Sequence, residues 1–316
     1  MDFGPVRAVD HVSFTVRPGE IVGLMGENGA GKSTLMNVLA GTFPPASGEI
    51  FLDGKKVEIG SASDAMRLGI RFIHQELNLC DDLTVFENMY LAEEMTRGPL
   101  LNKKAMAARC AEVFSRMQVS IDPWATVGDL QPAEKQMVEI ARALLFKSGV
   151  IIMDEPTTAL ATHEIENLFE IMRQLKREDV SFIYISHKMP ELFEICETYY
   201  VLRDGKLVAQ GRFDEINESA VTEMMIGRQL SGDDFEHKPC YVREEVALSV
   251  RNLTGASFRN ISFDLHKGEV IAITGLQGSG RDNLADALFG VEGASGEIRV
   301  NGSSVKSGST VLQHMR

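Results

Sequence analysis

The chain has 316 residues, 44% hydrophobic and 24% charged, which is enough for a sizeable core and is expected to form two units. Its formal net charge of −13 repels phosphate backbones and anionic lipid, which argues against broad electrostatic binding of nucleic acid or membrane as the main activity. No apolar run approaches the roughly 18 residues that cross a bilayer, the N-terminus lacks a signal-peptide profile, and Cys80, Cys110, Cys196 and Cys240 form no CxxC pair, so reduced thiols are expected.

In chain order, EIVGLM is a short apolar strand, and residues 31–40 beyond the following loop have helical spacing. RFIH, VIIMD and SFIYIS are brief β-rich runs of the kind buried in parallel sheets. Thr84 is the expected N-cap of VFENMYLAEE, with further helices over 102–118 and 132–146. Pro190 fits the first position of a short helix, ELFEIC. Asp204-Gly205 between two strand-like runs predicts a hairpin. Residues 231–246, SGDDFEHKPCYVREEV, are polar and aperiodic and are the expected linker.

The chain also repeats itself. SFTVRPGEIVGLMGENGAGKSTL from residue 13 and SFDLHKGEVIAITGLQGSGRDNL from residue 262 align without a gap, Gly19 on Gly268 and Lys32 on Arg281, and each runs on to an SGE tripeptide. A duplicated domain is implied, and the second copy reaches Arg316 soon after its loop.

Gly26-Glu27-Asn28-Gly29-Ala30-Gly31-Lys32-Ser33, followed by Thr34, matches GxxxxGK[ST] between a strand and a helix, the context that motif requires. Glycines let the backbone close on phosphates with N–H groups pointing inward, and the helix N-terminus adds positive potential. Lys32 is expected to reach the β- and γ-phosphates of a nucleoside triphosphate and Ser33 to ligate Mg²⁺. Asp154 and Glu155 end the VIIMD strand; Asp154 would hold the ion and Glu155 polarise the attacking water. His187 follows SFIYIS at a strand C-terminus, where open α/β sheets place their ligands, and Gln75 follows RFIH. Alone, a histidine or glutamine there is as readily structural; His74 is read as structural.

The order of phosphate loop, glutamine, helical segment, DEPTTAL and histidine resembles the ATP-binding cassette (ABC) ATPases over nearly the whole chain. GENGAGKSTLMNVLAG, FIHQELN, QMVEIARAL, MDEPTTAL and YISHK look like the sugar-import branch, whose ATPase subunit carries two cassettes in tandem. The resemblance implies an α/β phosphate-loop NTPase fold with a mixed sheet core, an antiparallel β subdomain and a helical subdomain near 76–147. It implies a first cassette over 1–230, a linker over 231–246 and the start of a second, degenerate cassette over 247–316. It also implies Gln75 and Asp154 with Ser33 at the metal, Glu155, His187 and Gln75 in catalysis, and Phe3 stacked on adenine. The implied partners are integral-membrane permease subunits, a sugar-binding protein beyond them, and a second cassette or another copy to complete the ATP sandwich, on the inner face of the cell membrane.

Two departures sharpen this picture. The usual LSGGQ signature is Leu130-Gln131-Pro132-Ala133-Glu134, and the second loop, Gly275 to Asp282, carries Arg281 for lysine and Asp282 for the metal-binding hydroxyl. Sandwich geometry assigns both to one composite site, so one degenerate and one competent site are expected, with poor turnover by this chain alone. Two other readings are a soluble tandem cassette acting on ribosomes or DNA, and a nucleotide-binding module that does not hydrolyse.

Overall fold

The computed structural model describes residues 1–3, 6–227, 241–275 and 278–305. The chain divides into two compact units, Met1–Leu230 and Ser231–Arg316. Of the sequence expected as a linker, residues 231–240 lie outside the described residues.

The first unit is built on a six-stranded sheet in the order Lys206–Arg212, Thr198–Arg203, Ile21–Met25, Ser181–Ile185, Val150–Asp154, Ile70–Ile73. All neighbours are parallel except the first two, which form the hairpin. Asp204 (φ 51°) and Gly205 (φ 74°) supply the left-handed pair that such a two-residue turn demands. The central strands are buried on both faces, and their side chains alternate between two cores. Ile21, Met25, Ile151, Met153, Phe182 and Tyr184 belong to the core shared with the helices Pro132–Leu145 and Thr162–Lys176. Leu24, Ile152, Ile183 and Ile185 belong to the other, with Met36 of the Lys32–Leu39 helix. Short antiparallel pairs, Ile50–Leu52 with Lys55–Val57 among them, supplement the sheet.

The helical segment contains Val85–Met89, Lys103–Arg116 and Pro132–Leu145, packed through Phe86, Met89, Met106, Cys110, Phe114, Met137 and Val138. The helix after Thr84 stops at Met89, short of the expected VFENMYLAEE, and Ala92 then takes φ 68°, a left-handed conformation that a continuing helix cannot contain. Its start is secured by Glu87 Oε2, which accepts from Thr84 N (3.1 Å) and Thr84 Oγ1 (2.7 Å). Pro190 sits second, not first, in the Met189–Ile195 helix, where its missing N–H is equally harmless.

The second unit has a four-stranded antiparallel sheet, Ile261–His266, Val246–Thr254, Ser295–Val300, Ser303–Val305, and the helix Arg281–Phe289. Val250, Leu253, Phe258, Leu284, Ala287 and Ile298 form its small core. Residues 270–274, the repeat of Ile21–Met25, are in no strand, and Val270 is 94% exposed. In the first unit Ser181–Ile185 and Thr198–Arg203 flank that segment; the second unit has no counterpart of either among its described residues.

Candidate active site

The loop from Gly26 to Gly31 leaves the Ile21–Met25 strand and enters the Lys32–Leu39 helix. Backbone proximity fixes its glycines. A Cβ at Gly26 (φ 150°) would come within 2.3 Å of Leu202 O, and one at Gly31 (φ 100°) within 2.2 Å of Ala8 O. Ala30 is buried, its carbonyl accepting Gly205 N–H at 3.1 Å, whereas Glu27, Asn28 and Gly29 face solvent. A glycine N-cap leaves the helix end without a side-chain cap, and the space a Cβ would take at Gly29 is open. Such an end suits an anion. Lys32 Nζ folds back onto Gly26 O (2.7 Å) and Glu27 O (3.1 Å). Ser33 Oγ stands 3.5 Å from Asp154 Oδ2, and Thr34 is half-buried on the helix.

Asp154 pairs with Ile185 of the neighbouring parallel strand, and Glu155 N–H donates to Ile185 O at 2.9 Å. Glu155 has φ 50°, a left-handed conformation costly for a non-glycine residue and often found where function demands it. Its Oε1 lies 2.8 Å from His187 Nδ1, and its Oε2 is buried with no hydrogen-bond partner among the described residues. Burial raises the Asp154 pKa first and the Glu155 charge adds to it, while Lys32 and Ser33 pull the other way. Burial lowers the Lys32 pKa, opposed by Asp154 and Glu155. Two carboxylates thus share one ammonium, an excess of negative charge that a cation would relieve.

Gln75 lies two residues beyond the Ile70–Ile73 strand and lines, with Ser33, His74 and Asp154, a groove of about 890 Å³. Among the described residues no group of three or more His, Cys, Asp or Glu is arranged to hold a metal alone. A hydroxyl, an amide and a carboxylate beside a phosphate are nonetheless the oxygen donors magnesium takes. His74 rests on the Phe72 ring at 3.9 Å between centroids, its pKa lowered by burial and then by Arg142. Phe3 pairs with Val6 in a two-residue strand; its side chain lies outside the described residues.

Three features escaped the sequence reading. Gln131 is the N-cap of the Pro132–Leu145 helix, its N–H taken by Glu134 Oε2 at 2.8 Å. The next residue, Pro132, has no N–H to offer. In the second unit Arg281 Nε pairs with Asp282 Oδ1 at 3.0 Å. Buried Glu191 gathers Thr157, Tyr184, Ser186 and Lys188 beside His187. An acid in a first helical turn looks like ordinary capping, so no local signal set Glu191 apart.

This fold and this set of loop, carboxylates and histidine define a phosphate-loop nucleotide-binding protein. The chain belongs to the ABC transporter family, whose profile matches residues 9–158 and 258–316. It is 42% identical over 323 residues to a putative ribose/galactose/methyl galactoside import ATP-binding protein of Hahella chejuensis, covering 99% of this chain and 61% of that one. It is 41% identical over 311 residues to the galactose/methyl galactoside import ATP-binding protein MglA of Escherichia coli, covering 96% of this chain and 61% of that one. The chain therefore spans about three fifths of the length of these relatives. A crystal structure of a nucleotide-free ATP-binding cassette from an ABC transporter shares the fold, with a TM-score of 0.64, 25% identity, and coverage of 72% of this chain and 96% of the other. A cassette solved in its ADP conformation aligns with a TM-score of 0.60 and 26% identity over 72% of this chain and 95% of its own. Among the described residues no helix is long and apolar enough to cross a membrane.

Proposed function

We propose that this chain supplies the ATP-binding and hydrolysing part of an importer for a simple sugar, docked on integral-membrane permease subunits at the cytoplasmic face of the membrane. The sugar-import reading rests on one observation: 41–45% identity over nearly the whole chain to proteins named for ribose, galactose or methyl galactoside import. A sugar-binding protein would deliver the cargo to the permease, and a second cassette or another copy of the chain would close the ATP sandwich.

In this reading the residues divide the work by chemistry. Lys32 exchanges the carbonyls of Gly26 and Glu27 for the β- and γ-phosphates, aided by N–H groups of Gly26–Thr34. Ser33, Asp154 and Gln75 would hold Mg²⁺, which, when bound, would offset phosphate charge during transfer. Glu155 orients the attacking water; its Oε1 is held by His187, and its buried Oε2 meets no other partner among the described residues. His187 holds Glu155 through Oε1 and can meet the γ-phosphate from its exposed side. Phe3 is assigned to the adenine ring.

The test is twofold: MgATP binding by calorimetry, and co-purification of the tagged chain with a permease from membranes. A chain that binds no MgATP, or that co-purifies with ribosomes and no permease, overturns the proposal.

A further inference from the structure

Glu191 lies in the first turn of the Met189–Ile195 helix and is only 8% exposed. Its carboxylate collects donors from two segments, the loop at Thr157 and residues 184–188. Thr157 Oγ1 lies 2.9 Å from Oε1 and 2.8 Å from Oε2. Tyr184 OH donates to Oε2 at 2.8 Å and Ser186 Oγ at 3.3 Å. Lys188 Nζ stands 3.0 Å from Oε1 and donates to Thr157 O at 3.2 Å and Thr157 Oγ1 at 3.1 Å. Ser186 Oγ accepts the Lys188 N–H at 3.1 Å. Thr157, Tyr184 and Ser186 are buried. Burial and then the Glu191 charge push the Tyr184 hydroxyl pKa upward, so the phenol keeps its proton.

The donors occupy telling places in the chain. Thr157 is two residues beyond Glu155, and Ser186 and Lys188 flank His187 on either side. The His187 side chain is 75% exposed, so surrounding atoms do little to hold its ring. Its direction follows from the backbone between Ser186 and Lys188, and both residues are tied to Glu191. Stability alone does not call for this arrangement, because a buried ion pair can often be replaced by apolar side chains of similar volume without loss. What an ionic hub adds is a fixed relation between the two segments that converge on it.

We propose that Glu191 is a positioning residue: it locks the backbone around His187 to Thr157, and so keeps the imidazole within reach of Glu155. The inference rests on the reading of Glu155 and His187 as working partners, but its test requires no turnover. In the full chain, labelled on histidine, the His187 ring signal is assigned by its loss in His187→Gln. At fixed pH, Glu155→Gln should move that signal in the otherwise unaltered chain. In Glu191→Ala the same substitution should leave it in place. MgATP affinity, measured alongside, should stay within about twofold, since the phosphate loop is untouched. A His187 signal that still answers to Glu155→Gln in the Glu191→Ala background overturns the proposal. Should Glu191→Ala not fold, Thr157→Val decides by the same signal: a weakened response is expected, and an undiminished one overturns the tether. A chain that binds no MgATP at all would defeat the nucleotide reading instead, while the histidine signal still decides the tether.

Discussion

His187 Nδ1 sits 2.8 Å from one oxygen of Glu155, while the other oxygen is buried and meets no donor among the described residues. The carboxylate is thus anchored at one oxygen and buried without a donor at the other. Glu155→Gln keeps the shape and removes the charge that polarises water. We expect MgATP affinity within about twofold of the unaltered chain and turnover lower by about 100-fold or more, the usual worth of a positioned base. Phosphate-release kinetics check this; unchanged turnover would remove Glu155 from its role.

Lys32 is half-buried and already tied to two loop carbonyls, 2.7 Å and 3.1 Å away. With triphosphate present those contacts would be exchanged for charged ones, each worth roughly 1.5–3 kcal/mol net. Lys32→Ala should therefore weaken ATP binding by about 10- to 100-fold, as read by titration calorimetry. An affinity within about twofold of wild type would mean that the loop does not cradle the phosphates through this side chain.

Much of this site was visible in the sequence because its parts are local. The phosphate loop is a contiguous run between strand and helix, and Asp154-Glu155 ends an unmistakable apolar strand. Their convergence follows from sheet order: parallel strands bring Met25, Asp154 and Ile185 to the same edge. Glu191 was not legible, since its partners at 157, 184, 186 and 188 meet only after the Met189–Ile195 helix packs down. Nor was the early stop of the helix at Met89, because residues 90–94 keep a helical pattern while Ala92 adopts φ 68°. The exposure of residues 270–274 was equally hidden. VIAIT has the same strand pattern as IVGLM, and pattern does not reveal whether partner strands are present.

Glu87 offers a pH test of the helical segment. Hydrogen bonds from the Thr84 hydroxyl, then from Lys103 and the Thr84 N–H, lower its pKa from 4.5 to about 2. A depressed carboxylate pKa stabilises the fold above the unfolded value near 4.5, and that contribution is lost as pH falls through about 2. Glu87→Gln should cost roughly 1 kcal/mol at neutral pH, typical of a lost cap. The gap between variant and wild type should narrow across this acid window and close at its lower end. Thermal melts at several pH values measure it, and a gap independent of pH would show that the charge is not what secures the cap. Added salt should trim the Lys103 share, since that 2.9 Å pair is half-exposed.

The strongest asymmetry lies between the two loops. Lys32 is held by backbone carbonyls at the start of an uncapped helix, whereas Arg281 is paired with the adjacent Asp282, whose carboxylate would also repel phosphate. The segment equivalent to the ABC signature shows the same weakness from the other side. Glu134 takes the Gln131 N–H at 2.8 Å, and Pro132 has none, so that helix end offers a γ-phosphate negative charge and one donor fewer. We propose that in a cassette sandwich these two weakened elements would contribute to the same ATP site. The Gly26–Thr34 loop would face the signature of a completed second cassette. Turnover should therefore rise well above that of this chain when the second cassette is completed; equal rates would sink the assignment. Within the completed chain, Lys32→Ala should abolish most turnover and Arg281→Ala should leave most of it. Equal losses from the two substitutions would mean that both sites work, and that the Arg281–Asp282 pair does not disable its loop.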